Sequence, residues 1–133
     1  MSHVLLVEDE EPLRRILTRN LVRRGYDVTE AISADGAVAA LRAGTQFDAL
    51  ALDMNLPDQS GWDVLRATRG YHVPPVIVLT ALRPARQRLD EFRPAAVLLK
   101  PFPMDALIRL VERIVRGESE PGEAETAAVD GEQ

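Results

Sequence analysis

Val4-Leu5-Leu6-Val7-Glu8-Asp9-Glu10-Glu11-Pro12 carries the pattern that decides the fold: four consecutive apolar residues, two carboxylates where they stop, and a helix start. The run is too short for a helix and shows no alternation of polar with apolar, so it reads as a strand buried on both faces. Proline is accepted in a first helical turn. Leu13, Ile16, Leu17 and Leu21 then recur at helical spacing until Gly25 ends the segment.

The same unit repeats along the chain. Residues 26–31 form a second, more polar strand, as expected at a sheet edge, and residues 34–43 a small alanine-rich helix closed by Gly44. Residues 47–52 are the third strand, followed by a loop, Asn55-Leu56-Pro57-Asp58-Gln59-Ser60-Gly61, whose composition is that of turns. A helix over 62–69, a strand over 75–79, a short helix over 84–92, a strand over 95–99 and a last helix over 104–116 complete the pattern. Strict alternation of strand and helix means a parallel sheet with right-handed crossovers. Five units predict a flavodoxin-like (βα)5 doubly wound sheet of strand order 2-1-3-4-5. In that order the first and third strands are neighbours whose helices leave to opposite faces, which opens a crevice at their carboxyl ends.

The 133 residues suit one domain, over 1–117, with a tail over 118–133. The formal charge of -5 divides unevenly, because the tail holds Glu118, Glu120, Glu123, Glu125, Asp130 and Glu132 and no base. The remainder has fifteen acids against sixteen bases. Poor in large apolar residues, the tail is expected to be disordered. A nearly neutral body lacks the concentrated basic face of a nucleic-acid binder; the pairs Arg14-Arg15 and Arg23-Arg24 read as the solvated side of an amphipathic helix. There is no cysteine, hence no disulfide framework or thiolate metal site. Neither a signal-peptide start nor the roughly 20 apolar residues of a membrane span occurs. The reading is of a cytoplasmic protein engaging neither membrane nor nucleic acid.

The apolar runs stop at residues capable of phosphoryl chemistry: Glu8 and Asp9, Asp53, Thr80 and Lys100. In an open α/β sheet the carboxyl edge is where ligands bind. Three carboxylates in one crevice raise one another's pKa values, and a divalent cation with a preference for oxygen, such as magnesium, relieves them. Each residue alone has a plainer explanation: an acidic helix start for Glu8 and Asp9, a turn-forming cap for Asp53, a strand-end hydroxyl for Thr80. Lys100 is the one lysine beside fifteen arginines. A compact ammonium suits a phosphoryl oxygen and a carboxylate together, which a guanidinium fork does not replace.

Four segments together resemble a receiver domain of the two-component response regulators: Leu5-Leu6-Val7-Glu8-Asp9-Glu10, Leu52-Asp53-Met54-Asn55-Leu56-Pro57 with Gly61, Val78-Leu79-Thr80-Ala81, and Leu99-Lys100-Pro101-Phe102. The resemblance implies that Asp53 is the phosphoacceptor, taking a phosphoryl group from a sensor histidine kinase or a histidine phosphotransfer protein. It implies Mg2+ held by Asp9, Asp53 and the backbone carbonyl of Asn55, with Glu8 acting through a water. Lys100 would neutralise charge on the phosphoryl oxygens, and Thr80 would swing onto the new group as a switch. Docking would fall to Leu13, Ile16, Leu17 and Asn20 with Pro101 and Phe102, although part of the helical stripe containing Leu13 and Leu17 must face the sheet.

The chain departs from the family at Val97, where most receivers carry a switching aromatic, and at Leu82, where a polar residue could orient a hydrolytic water. The leading expectation is a signalling module, monomeric or weakly dimeric, that catalyses only its own phosphotransfer and slow autodephosphorylation and switches the binding of an unknown downstream protein. A degenerate receiver acting as a phosphorylation-independent scaffold is the alternative. A haloacid-dehalogenase-type phosphatase would want its nucleophile on the first strand and a second Asp two residues on, where this chain has Asp53 on the third strand and Asn55.

Overall fold

The computed structural model describes residues 1–117 together with 125 and 126. Five strands, β1 (His3–Val7), β2 (Asp27–Ala31), β3 (Ala49–Asp53), β4 (Val76–Thr80) and β5 (Ala96–Leu99), alternate with five helices. These are α1 (Glu11–Arg23), α2 (Ala34–Arg42), α3 (Gly61–Ala67), α4 (Arg86–Phe92) and α5 (Met104–Val115). The strands pair in parallel in the order β2-β1-β3-β4-β5, the doubly wound arrangement that the alternation implies. A two-residue strand, β6 (Glu125–Thr126), adds a parallel partner to β5. Apart from these two residues, the expected disorder of 118–133 lies outside the described residues.

Period-two geometry divides each buried strand between two cores. Val4, Leu6, Ala49, Ala51, Ile77 and Leu79 pack with Leu17 and Leu21 of α1 and Leu107, Ile108 and Val111 of α5. Leu5, Val7, Leu50, Leu52, Val76 and Val78 pack on the other face with Ala34, Ala37 and Leu41 of α2 and Val64 and Leu65 of α3. On central β3 the small residues face α1 and α5, which Arg24 and Glu112 also join at 2.9 Å. Among the described residues β2 pairs with β1 alone and keeps Asp27 and Glu30 exposed, the polar edge its composition anticipates.

Most elements shift by one or two residues from the sequence reading, and the starts of β3 and α4 are among the largest shifts. β3 begins at Ala49 because Asp48 turns back to the amino end of β1: its carboxylate accepts from His3 N at 2.8 Å and its N–H donates to the His3 carbonyl at 2.7 Å. α4 begins at Arg86, with Ala85 extended before it. Two corrections concern α1. Leu17 is wholly buried beneath it and presents nothing to a partner, because a helix lying on a sheet turns one side of its apolar stripe inward. The Arg14-Arg15 pair is also not a uniformly solvated face: the Arg15 side chain is 71% exposed and that of Arg14 only 14%.

Candidate functional site

β1 and β3 lie side by side with Val7 opposite Leu52, so the residues that follow, Glu8 and Asp53, emerge together at the carboxyl edge. Glu8 is fully buried, Asp53 nearly so, and Asp9 exposed. One carboxylate oxygen from each of the three lies within 4.8 Å of the others. Lys100, just past β5, donates to Glu8 Oε1 at 3.0 Å and to Asp53 Oδ2 at 3.2 Å. The remaining oxygens accept main-chain donors, Glu8 Oε2 from Glu10 N at 3.2 Å and Asp53 Oδ1 from Asn55 N at 3.0 Å.

One ammonium therefore faces three carboxylates. Burial is the main cause that pushes the Glu8 carboxyl up to about 7; the Lys100 hydrogen bond opposes it and the charge of Asp53 adds to it. Burial by itself would lower Lys100, but the hydrogen bond to Glu8 and the charges of Asp53 and Glu8 outweigh it and hold the ammonium above its ordinary value. A hard divalent cation with a taste for oxygen, Mg2+ above all, matches this donor set and its excess negative charge.

The loop after β3 is folded tightly enough to present its carbonyls in one arrangement. Gly61 N donates to the Met54 carbonyl at 3.0 Å, and Asn55 bridges to Ser60. A Cβ on Gly61 would stand 2.7 Å from the Asp53 carbonyl oxygen and 2.5 Å from Met54 Cε, so only glycine lets α3 start this close to the end of β3. Ser60 and Asp63 close a reciprocal capping box at that start. Farther round the loop, Asp58 reaches the amino end of α2 and accepts from Ala34 N at 2.8 Å and Asp35 N at 3.0 Å. Those two backbone bonds hold its carboxyl below the usual range.

Thr80 ends β4, one register step past Leu79, which lies opposite Asp53. Its hydroxyl donates to the Leu82 carbonyl at 2.9 Å and accepts from Leu82 N at 3.1 Å, so it is engaged with its own turn. Val97 is buried in the core beneath α2 and α3. Of the residues expected at a docking surface, Ile16 is 44% exposed, Asn20 bonds back to the Ile16 carbonyl at 2.8 Å, and Pro101 is exposed. Leu13 and Phe102 are half-buried against the core under α1 and α5.

Three features escape a reading along the chain. Arg14 donates to the Glu8 carbonyl and pairs with Glu30 of β2, both at 3.2 Å. Asp58 caps a helix from another loop. Trp62 stacks on Phe92, ring centroids 5.4 Å apart and planes at 24°, joining α3 to α4. Each joins residues that only the β2, α2 or α4 placement brings together, and the doubled Arg14-Arg15 was the one visible signal. No helix among the described residues is long and apolar enough to cross a membrane.

Known proteins place this geometry. The chain is similar to KdpE of Mycobacterium tuberculosis, a transcriptional regulatory protein, with 36% identity over 134 residues, 98% of this chain and 58% of that protein. PetR of Rhodobacter capsulatus is 32% identical over 116 residues, 86% of this chain and 48% of its own length. The chain thus spans about half the length of the curated relatives it matches. Among solved structures, the non-phosphorylated HemR receiver domain of Leptospira biflexa superposes with a TM-score of 0.77 at 31% identity, over 86% of this chain and 94% of that one. Chemotaxis protein CheY4 of Vibrio cholerae gives 0.77 at 27% identity, over 86% and 98%. The family model for the response regulator receiver domain matches residues 4–112, and the chain belongs to that family, the receiver modules of two-component signalling.

Proposed function

We propose that this chain is a phosphorylation-controlled switch in which Asp53 accepts a phosphoryl group from the phosphohistidine of a kinase or phosphotransfer protein. The observation that carries the reading is the buried contact of Lys100 with both Glu8 and Asp53 beside the exposed Asp9. A carboxylate oxygen of Asp53 forms the new P–O bond as the P–N bond breaks, and the electron pair of that bond returns to the histidine ring. The Asn55 N–H on Oδ1 and Lys100 on Oδ2 hold the nucleophile's orientation before the group arrives. Lys100 already spans two oxygens and can exchange one of them for a phosphoryl oxygen without crossing the crevice. Bound by Asp9, Asp53 and the Asn55 carbonyl, with Glu8 through a water, Mg2+ would neutralise the charge that gathers on the transferred group.

Thr80 would then leave Leu82 for the phosphoryl group, and the segment leading to α4 would follow. Ile16, Asn20, Pro101 and Phe102, with the exposed part of Leu13, form the surface offered to the phosphate donor. Leu82 is 79% exposed and apolar, and places no hydrogen-bonding side chain over the crevice; the aspartyl phosphate should hydrolyse slowly. Rapid loss of the phosphoryl group from the isolated protein would contradict that. The domain at 1–117 would act in the cytoplasm as a signalling module, with no chemistry beyond its own phosphorylation.

Intact-protein mass after incubation with Mg2+ and acetyl phosphate tests the reading. One phosphoryl adduct that requires Mg2+ and is absent from Asp53→Asn supports it. No adduct on either protein overturns it in favour of a scaffold that works unphosphorylated, and an adduct on both reassigns the acceptor.

A further inference from the structure

Asp9 is the least constrained of the three acids: among the described residues its carboxylate has no hydrogen bond or ion pair. Its direction is therefore set by the backbone that carries it. The peptide joining Glu8 to Asp9 is planar, so fixing the Glu8 carbonyl fixes the plane from which the Asp9 side chain departs. That carbonyl lies past the end of β1 and before α1, outside either regular hydrogen-bond pattern. Arg14 Nη1 donates to it at 3.2 Å.

Arg14 is itself held. Its Nε donates to Glu30 Oε1 at 3.2 Å, while Thr18 Oγ1 donates to Glu30 Oε2, so the carboxylate of β2 is gripped from two positions on α1. Glu8 N bonds the Ala31 carbonyl at 3.1 Å, next door to Glu30. The turn bearing two of the three acids is thus clamped to β2 through its own N–H and, by way of Arg14, through its carbonyl. With only 14% of the Arg14 side chain exposed, this fork is not a loose surface contact. Glu30 balances its charge, so the clamp acts by geometry and adds little field to the crevice.

We infer that Arg14 is a positioning residue for cation binding: with Glu30 it sets the Glu8–Asp9 peptide plane and so aims Asp9 into the crevice. The inference rests on the Mg2+ site proposed above and adds to it a residue that touches neither the ion nor the phosphoryl group. A lysine at position 14 keeps the charge but has one compact head, unable to serve the carbonyl and Glu30 with a planar fork.

Calorimetric titration of Mg2+ into the wild type, Arg14→Met, Arg14→Lys and Glu30→Gln tests it, with the melting temperature of each in EDTA as the companion measurement. Residues that orient metal ligands commonly cost on the order of tenfold in affinity when removed, so Arg14→Met should weaken Mg2+ about tenfold. Arg14→Lys should weaken it nearly as much, and Glu30→Gln less. A role in folding alone would lower the melting temperature and leave the Mg2+ affinity unchanged, and that result overturns the inference. So does full rescue by lysine, which would make charge and not the fork responsible. Should Arg14→Met fail to fold, Glu30→Gln carries the test, and wild-type affinity there counts against the clamp. If the wild type binds no Mg2+, the underlying site is wrong; if it binds and every variant matches it, only the clamp is.

Discussion

The crevice at the ends of β1 and β3 and the helix α4, which follows β4 and lies against one core of the same sheet, are held by different forces. Glu8 and Asp53 are buried and hydrogen-bonded on both carboxylate oxygens, and Asp53 is backed by a loop in which even a Cβ on Gly61 has no room. α4 has no buried residue and no side-chain cap, and it ends on Arg93 in the left-handed region at φ 49°. What fastens it is the partial packing of Leu89 and Phe92 on the core, the Trp62–Phe92 stack, and Arg66 and Arg69, which approach Glu91 at 3.7 and 2.7 Å; Arg88 pairs with Glu91 within the helix at 3.8 Å. Arg66 and Arg69 also lie 5.4 Å from the centre of the Phe92 ring. Chemistry needs groups that do not move, and a response needs an element that moves cheaply. The contrast explains how one domain can serve both.

The largest expected effect is a proton effect confined to the crevice. Glu8 binds a proton more tightly folded than unfolded, so without a cation its contribution to stability is complete below pH 4.5 and is lost as pH rises to about 7. A shift of that size corresponds to about 3 kcal/mol. Denaturant melts in EDTA should show stability falling across that window, and Glu8→Gln should flatten the fall. Gly61→Ala is next, at about 3 kcal/mol for overpacking against rigid backbone, read from the same melts; a neutral result would mean that the loop can yield. Lys100→Met should cost about 2 kcal/mol at pH 8 by stripping a charged donor from two acids, and it should slow adduct formation with acetyl phosphate in mass spectra.

On the α4 side the effects shrink and their character changes. Phe92→Ala should cost only about 1 kcal/mol and leave the rate of Asp53 phosphorylation unaltered. It should nonetheless abolish any fluorescence change of Trp62, the sole tryptophan, that accompanies phosphorylation. If Phe92→Ala instead slows phosphorylation as much as Lys100→Met does, the two regions are not separable and the comparison fails.

The parts legible in the sequence were those decided by local pattern. Val4 to Val7 declares a doubly buried strand without any knowledge of its neighbours, and Glu8, Asp53 and Lys100 follow from where such runs stop. The doubly wound order then brings their strand ends together. Residues whose environment depends on a partner element resisted the same reading. Leu17 and Ile16 are adjacent apolar residues on one helix, and only the placement of α1 on the sheet decides that the first is core and the second surface. Arg14 looks like Arg15 until β2 brings Glu30 alongside. Phe92 could have been core anywhere; its stack on Trp62 depends on how α4 lies against α3.

The polar character of β2 reaches beyond the single molecule. An open sheet offers two edges at which a foreign strand can add, and proteins that stay soluble make such edges unattractive. Asp27 and Glu30 keep charged groups exposed along this one, Glu30 already engaged by Arg14, so a second copy meeting β2 edge to edge would have to desolvate them. Growth of the sheet is thereby steered to the opposite side, where Ala96 and Val97 of β5 already pair with Glu125 and Thr126.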